Sequence, residues 1–537
     1  MAVSATVLSS LVLVVCFCCH VFLPSLALAS SESEENFLQC LSEKIPGELL
    51  FTQSSNSSGF MSVLTSSVQN ARFATNATVR PACIVTASDV AHVQDAVRCG
   101  RRHGVRLRVR SGGHDYEGLS YRSVRAEVFA VLDLARLRAV RVRPGDGKAE
   151  SSAWVDSGAT LGELYYAIGM ASPTLAFPGG ACPTVGVGGF LSGGGIGLMM
   201  RKFGTGADNV LDAMIVNADG DLLDRAGMGE DLFWAIRGGG GESFGVVVSW
   251  KLKLSVVPRT VTVAKTDMAF DESTAAVLAK WETFALRPFL PDLTIRAVVQ
   301  GNRTVFQTLF LGSCSRLVGK MDAFFPELGT RAGDCREMSW ARAMAFITLS
   351  SSDINVPLEG MLQRTNNLGT YVKNKSDYVR CAVGKAGWER IYREHLSRNG
   401  ELMMIMEPHG GVVGSVIPDS FTPYPHRSGV LYNIQYVAFW WGDGGAAEAA
   451  NGWINGLYGF MEPLVSSNPR EAFVNYRDLD IGQNAVGEDG VTTYESGRVW
   501  GEKYFMGNFH RLATVKGQVD PGDYFRNEQS IPPFLPV

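Results

Sequence analysis

The chain predicts an α+β protein of at least two domains, and three observations carry that expectation. Its 537 residues exceed what a single hydrophobic core usually serves. Short strands and helices alternate up to Pro258, whereas longer helices alternate with strands from Thr260 to about Arg470. Between Phe177 and Gly197, nine of twenty-one residues are glycine, interleaved with Val, Phe, Leu and Ile. Glycine at that density costs backbone entropy and is kept where something approaches closer than a Cβ allows. A large, flat, phosphate-bearing group met by backbone N–H donors fits that need. A flexible linker would instead be Ser-rich and polar.

Residues 1–29 read as a secretory leader. An apolar run from Val7 leads to Ser25-Leu26-Ala27-Leu28-Ala29, a small-x-small cleavage site, and His20 and Pro24 interrupt it as a membrane span. No later segment is apolar for about twenty residues, so the mature protein is expected to be soluble and secreted, with no membrane span. A short helix around Cys40 follows, then a strand at Ala82–Val85. Ser88 and Asp89 are N-cap candidates for a helix over Val90–His103, which Gly104 ends. Val105–Arg110 alternates with period two, as a half-buried strand does. Further strands are expected at Val128–Asp133, Ala153–Ser157, Asn209–Val216 and Phe244–Leu254, with helices at Leu161–Met170 and Glu230–Arg237. Beyond Pro258 helices are expected at Ser273–Ala285 and Ala386–Ser397, and strands at Leu293–Val299, Phe306–Leu311, Leu402–Met406 and Leu431–Trp440. The tail from Asn475 carries too many aromatics to be disordered.

Four Asn-x-Ser/Thr sequons, at Asn56, Asn76, Asn302 and Asn374, agree with secretion and are expected to be glycosylated. Seven cysteines follow the leader: Cys40, Cys83, Cys99, Cys182, Cys314, Cys335 and Cys381. An odd number in an oxidising compartment leaves at least one outside intrachain disulfides. A formal charge of −4 shows no basic excess, which argues against nucleic acid as a partner. No metal site is predicted.

Two glycine-rich segments end strands without a G-x-G-x-x-G after the first strand, which disfavours a dinucleotide-binding βαβ domain. They suggest a cofactor across a cleft, with Ser111, Gly112 and Gly113 offering backbone donors to a pyrophosphate. Taken singly, His114 is compatible with a structural histidine and Cys182 with half of a disulfide.

Together the residues are recognisable. Arg110-Ser111-Gly112-Gly113-His114-Asp115-Tyr116-Glu117-Gly118 and Cys182-Pro183-Thr184-Val185-Gly186-Val187-Gly188-Gly189 resemble the berberine-bridge-enzyme-like flavoproteins of plants, which have the p-cresol methylhydroxylase/vanillyl-alcohol oxidase FAD-binding fold. Glu230–Gly241, Asn475–Asp480 and Tyr524–Ser530 extend the resemblance over essentially the whole mature chain, nearest to grass members that include pollen allergens. The resemblance implies a two-part FAD-binding domain (residues 30–257 and a returning segment, 471–537) around a substrate domain (258–470) with an antiparallel sheet flanked by helices. It implies FAD bonded covalently through His114 at the 8α-methyl and Cys182 at C6. Imidazole nitrogen and thiolate are nucleophiles suited to an electron-poor flavin. Arg110, Ser111, Gly112, Gly113, Val185, Gly186, Gly188, Gly189, Phe190, Gly194 and Asn527 are the further cofactor-binding candidates. The family's N-terminal disulfide maps onto Cys40–Cys99. Cys314–Cys335 is a second candidate, and Cys83 and Cys381 are paired or free.

Val185 matches a family position near flavin C4a where a small Val admits oxygen, which implies O2 as acceptor and H2O2 as product. Phe190 stands where many members carry His or Asn donating toward the reduced flavin, and it offers no such donor. Ile196 and Asn433 replace a tyrosine and a lysine that act together in alcohol-oxidising members. Gln435 stands where alkaloid-oxidising members carry a glutamate. The remaining catalytic candidates are Tyr116, Gln435 and Tyr476. Either tyrosine would serve as base only with a pKa well below about 10. The expected reaction is hydride transfer from an alcohol or hemiacetal carbon to flavin N5, with a sugar at C1 preferred over an aromatic alcohol. A flavin-bearing interaction protein of impaired activity is the alternative.

Overall fold

The computed structural model describes residues 32–535 except 147–148, 288–289, 350–352, 354, 366–368, 398–400 and 443; the leader expected over 1–29 lies outside the described residues. Cys83–Thr86 is buried along its whole length. It runs parallel to Phe129–Asp133, which runs parallel to Arg106–Arg110 on its other side. Parallel strands need a crossover. Helix Val90–His103 provides one, with Asp89 accepting from the Ala91 N–H at its start and Gly104 in the left-handed region (φ 71°) at its end. Of the two N-cap candidates, Asp89 takes the position. The Cys40–Cys99 disulfide ties this helix to the N-terminal helix at 32–42.

A second, antiparallel sheet runs Val140–Arg143, Ser152–Asp156, Val246–Lys253, Val210–Val216, Leu222–Leu223. Val216, Val246 and Val248 pack with Val85, Leu107 and Leu132 of the first sheet, so the two sheets share one core. The glycine stretch leaves the far end of this assembly and contains a short helix, Val187–Ser192.

The third large sheet has seven antiparallel strands, in the order Cys335–Met338, Val261–Ala269, Arg303–Phe310, Leu293–Gln300, Leu402–Pro408, Tyr432–Trp440, Tyr371–Val379. Period-two alternation sorts its side chains. Ile295, Ala297, Val299, Met404, Met406, Ile434 and Tyr436 join Leu278, Trp281, Leu317, Trp388 and Ile454 from four helices in one core. The intervening Arg296, Val298, Met403, Ile405, Glu407 and Gln435 face a cleft.

Strand Tyr371–Val379 was not expected from sequence, and Asn374 corrects the glycosylation expectation. Asn374 is 1 % exposed, donating to the Tyr476 carbonyl and accepting from Gln435. A folded chain presents no amide there for a glycan. Asn56, Asn76 and Asn302 are exposed. The tail forms helices Tyr494–Phe505 and Phe509–Val519, whose Trp500, Phe505 and Leu512 pack in the core with Phe233 and Trp234. Cys314 and Cys335 form a disulfide, while Cys83 (buried), Cys182 and Cys381 (both exposed) are free.

Candidate flavin and substrate site

A cleft of about 600 Å³ lies between the glycine-rich edges of the first two sheets and the open face of the third. Ser111, Gly112, Gly113, His114 and Tyr116 enter it from the loop after strand Arg106–Arg110. Cys182, Val185, Gly186, Gly188, Gly189 and Phe190 enter it from the glycine stretch. The loops are locked together: a Cβ on Gly112 would stand 2.3 Å from the Gly186 nitrogen, so only glycine allows this approach. Ser111 Oγ donates to the Ser157 carbonyl at 2.6 Å, which turns the loop toward the second sheet.

His114 Nε2 lies 2.8 Å from Thr184 Oγ1, and Cys182 Sγ lies 3.5 Å from the same hydroxyl. Residues 68 positions apart therefore bring two nucleophilic atoms to one point of the cleft wall. Burial pulls the His114 pKa down to about 4, against a hydrogen bond to the Thr184 backbone that raises it, so the imidazole is neutral and nucleophilic at pH 7.

Arg110 belongs elsewhere. Its buried guanidinium donates to Asp133 and to the Val63 and Leu64 carbonyls, bracing the strand end beneath the cleft, and it does not line the cleft. Gly194, at φ 106°, backs onto Tyr424 behind the wall. Asn527 lines the cleft from the returning segment, beside Arg526. From the same segment Asn475 donates to the Phe190 carbonyl at 3.0 Å, fixing the end of the Val187–Ser192 helix. Tyr476 meets Tyr116 edge to face, centroids 6.2 Å apart.

Gln435 donates to the Tyr116 hydroxyl at 2.7 Å, joining the sheet to the flavin-side loop. Electrostatics work against the expectation that a tyrosine serves as base. Burial drives Tyr116 up to about 12, although the Gln435 bond lowers it, and burial raises Tyr476 further, with the Glu407 charge adding to the rise. Both phenols stay protonated at neutral pH and act as donors or ring platforms. Sequence reasoning also missed Arg296, Gln307 and Glu407, which line the sheet side of the cleft. The one available signal was a lone glutamate in the apolar run Leu402-Met403-Met404-Ile405-Met406-Glu407.

Gly189 supplies a test of fit. It faces the cleft with nothing within 4 Å of where a Cβ would stand, amid a stretch that is otherwise packed. Close backbone on one side, a long cleft, a neutral imidazole and a free thiol suit a flat, elongated, electrophilic cofactor such as FAD. This fold and site define an FAD-binding oxidoreductase.

Comparison with known proteins agrees. The FAD binding domain family matches residues 81–225, and the berberine and berberine-like family matches residues 472–532. Berberine bridge enzyme-like Cyn d 4 of Cynodon dactylon is 52% identical over 518 residues, covering 96% of each chain. Tetrahydroberberine oxidase of Berberis wilsoniae is 43% identical over 531 residues, 95% of this chain and 96% of its own. The crystal structure of Phl p 4, a grass pollen allergen with glucose dehydrogenase activity, superposes with a TM-score of 0.88 at 51% identity, covering 93% of this chain and all of its own. A variant of that allergen with one isoleucine replaced by valine is described as a glucose oxidase. The chain belongs to the berberine bridge enzyme-like family and is an FAD-dependent oxidoreductase.

Proposed function

We propose that this protein is a secreted oxidase carrying FAD bonded to both His114 and Cys182, and that it oxidises the C1 hydroxyl carbon of a carbohydrate. The observation that carries the reading is the convergence of His114 and Cys182 on Thr184 at one end of the cleft, with polar Arg296, Gln307 and Glu407 on the wall opposite the glycine loops. When bound, FAD accepts the two electrons and the hydrogen that leave the substrate carbon. The residues do the remainder. Ser111, Gly112, Gly113, Gly186, Gly188 and Gly189 give close backbone contact, and Tyr116, held by Gln435, presents its O–H to the cleft.

The glucose dehydrogenase activity printed for Phl p 4 favours a sugar. So does the loss of the tyrosine–lysine pair, since Ile196 is an apolar lining residue and Asn433 a fully buried amide. Oxygen as acceptor, with H2O2 as product, rests on Val185, which lines the cleft; the Ile-to-Val oxidase variant of Phl p 4 points the same way. The two disulfides support secretion, and among the described residues no helix is long and apolar enough to cross a membrane.

Val298, Met403 and Ile405 form an apolar band on the same wall and favour an aromatic alcohol as second reading. Phe190, whose ring fills the space beside Gly195 without a polar atom, favours a flavin-bearing protein of impaired activity as third. Anaerobic mixing of the purified protein with hexoses, cello-oligosaccharides and coniferyl alcohol, followed by air, separates the three. The proposal expects bleaching of the flavin by a sugar and H2O2 on aeration. Bleaching by coniferyl alcohol alone, or by nothing, would overturn the sugar assignment.

A further inference from the structure

A row of polar side chains crosses the cleft-facing side of the seven-stranded sheet. Gln307 stands in register opposite Arg296. Arg296 Nε lies 2.9 Å from Glu407 Oε1 on the next strand, and Glu407 stands in register with Asn433 on the one after. Four neighbouring strands thus each contribute one polar group at one level. Each group carries a buried atom without a hydrogen-bond partner: Gln307 Oε1, Arg296 Nε, Glu407 Oε2 and Asn433 Oδ1. The Arg296–Glu407 approach is an ion pair too oblique to be a hydrogen bond, which leaves the Nε–H to be satisfied. Glu407 is 5 % exposed and Asn433 is fully buried, yet Gln307, Arg296 and Glu407 all line the cleft. Unpaired buried polar atoms are rare in native proteins, and four in a row point to a ligand that pairs with them. One step along the strands, Val298 and Ile405 are also in register, so an apolar band adjoins the polar row. A pyranose, with hydroxyls on its rim and C–H groups on its faces, has that same division.

We propose that this row is the subsite for a polyhydroxylated substrate and that Glu407 is the carboxylate that takes the proton of the hydroxyl being oxidised. The inference rests on the alcohol-oxidising reading above. The O–H proton passes to Glu407, the carbon's hydrogen leaves with its electron pair to the oxidised flavin, and the C–O single bond becomes C=O. The titratable groups around Glu407 suit the task. Arg296 favours its ionised form against burial, which raises its pKa overall. Tyr476 and Tyr116 are held protonated. His409, bonded to the Glu407 backbone carbonyl, is kept neutral by burial, its pKa down to about 3.

The test uses the flavin-loaded protein and its Glu407→Gln, Arg296→Gln and Gln307→Leu variants. It measures anaerobic flavin reduction by glucose and cellobiose across pH, together with calorimetric binding of glucono-1,5-lactone. The wild-type reduction rate is expected to rise with pH through one ionisation lying above the ordinary carboxylate value of about 4.3. Glu407→Gln is expected to lower the limiting rate about 10²–10⁴-fold and to abolish that dependence while lactone still binds. Arg296→Gln is expected to move the midpoint to higher pH, and Gln307→Leu to weaken lactone binding and to raise the sugar concentration that half-saturates reduction. Reduction of Glu407→Gln at the wild-type rate and pH profile would overturn the base assignment. Lactone binding unchanged in Gln307→Leu would overturn the subsite. If no sugar reduces the wild type, the sugar-oxidising reading fails, and lactone binding that depends on Gln307 still supports the subsite while absent binding overturns it.

Discussion

Thr184 is the residue at which His114 and Cys182, the proposed flavin anchors, meet, and its neighbours fix what each can do. His114 is neutral because burial penalises the imidazolium, so one ring nitrogen keeps its lone pair without deprotonation by a partner. One position beyond Thr184, Val185 donates its backbone N–H to the Cys182 carbonyl and turns its side chain to the cleft. On the proposed reading, a larger side chain at Val185 takes space from oxygen and not from the sugar, as the Ile-to-Val oxidase variant of Phl p 4 suggests. Val185→Ile is therefore expected to slow reoxidation of the reduced enzyme by air and to leave anaerobic reduction by substrate unchanged. Stopped-flow traces of the two half-reactions check this, and an equal slowing of both would contradict it. Glu528 gives a residue-scale prediction about acid. Burial works to raise its pKa, but the Arg108 guanidinium at 2.8 Å outweighs burial and holds it down to about 2. A depressed folded-state pKa stabilises fully above the unfolded value of about 4.3 and loses that contribution as pH falls toward 2. Replacing Glu528 by Gln is expected to cost about 3–5 kcal/mol at pH 7 and to flatten this acid limb, as read by urea unfolding at several pH values.

Strand Tyr371–Val379 is the element that joins the substrate sheet to the flavin side, and it does so through charge. Lys373 donates to Glu117 and Asp478, and Lys375 to Asp478 and Asp480, all at 2.7–2.8 Å. Glu117 follows Tyr116, and Asp478 lies two residues after Tyr476, so the cluster holds both cleft tyrosines in place. Lys373→Met is expected to cost about 3–5 kcal/mol, because it leaves Glu117 and Asp478 buried and short of a partner. Thermal unfolding measures the loss, and a change below about 1 kcal/mol would contradict the clamp. The same strand marks the limit of what was legible in the sequence. Lys373-Asn374-Lys375-Ser376-Asp377 has the composition of a solvated loop and includes a sequon, since the partners of its side chains lie 59 to 256 positions away and leave no local trace. The glycine loops were legible for the opposite reason. Gly112 and Gly186 meet each other's backbone, and that requirement is written in the local residues themselves. Helix Val90–His103 was legible end to end because Asp89 and Gly104 are local signals. Glu407 was not, since the ion pair with Arg296 exists only once two strands are neighbours.

At the scale of the whole molecule, the chain leaves the flavin side near Pro258, builds the substrate sheet, and returns with Asn475, Tyr476, Arg477 and Asn527 to complete the cleft. Arg477 bridges Asp115 and Glu242, and Arg108 pairs with Glu528, so the returning segment is bound to both parts of the flavin side. The disulfide between Cys40 and Cys99, 59 positions apart, adds about 4 kcal/mol on a loop-entropy account. The exposed sequons give a test at this scale. Expressed through a secretory pathway, Asn56→Gln, Asn76→Gln and Asn302→Gln are each expected to remove one glycan's mass, whereas Asn374→Gln removes none. A glycan on Asn374 would mean that modification precedes folding of its strand. Protein folded with and without flavin is expected to differ most in the loops at 111–116 and 182–190, which face the cleft from separate elements.

His114 and Cys182 are proposed to hold one flavin together. Protease digestion of the acid-denatured protein under reducing conditions, followed by mass spectrometry, measures it directly. A single cross-linked species is expected, in which the peptide containing His114 and the peptide containing Cys182 are joined through one FAD. Recovery of both peptides unmodified, with the flavin lost to the supernatant, would contradict it.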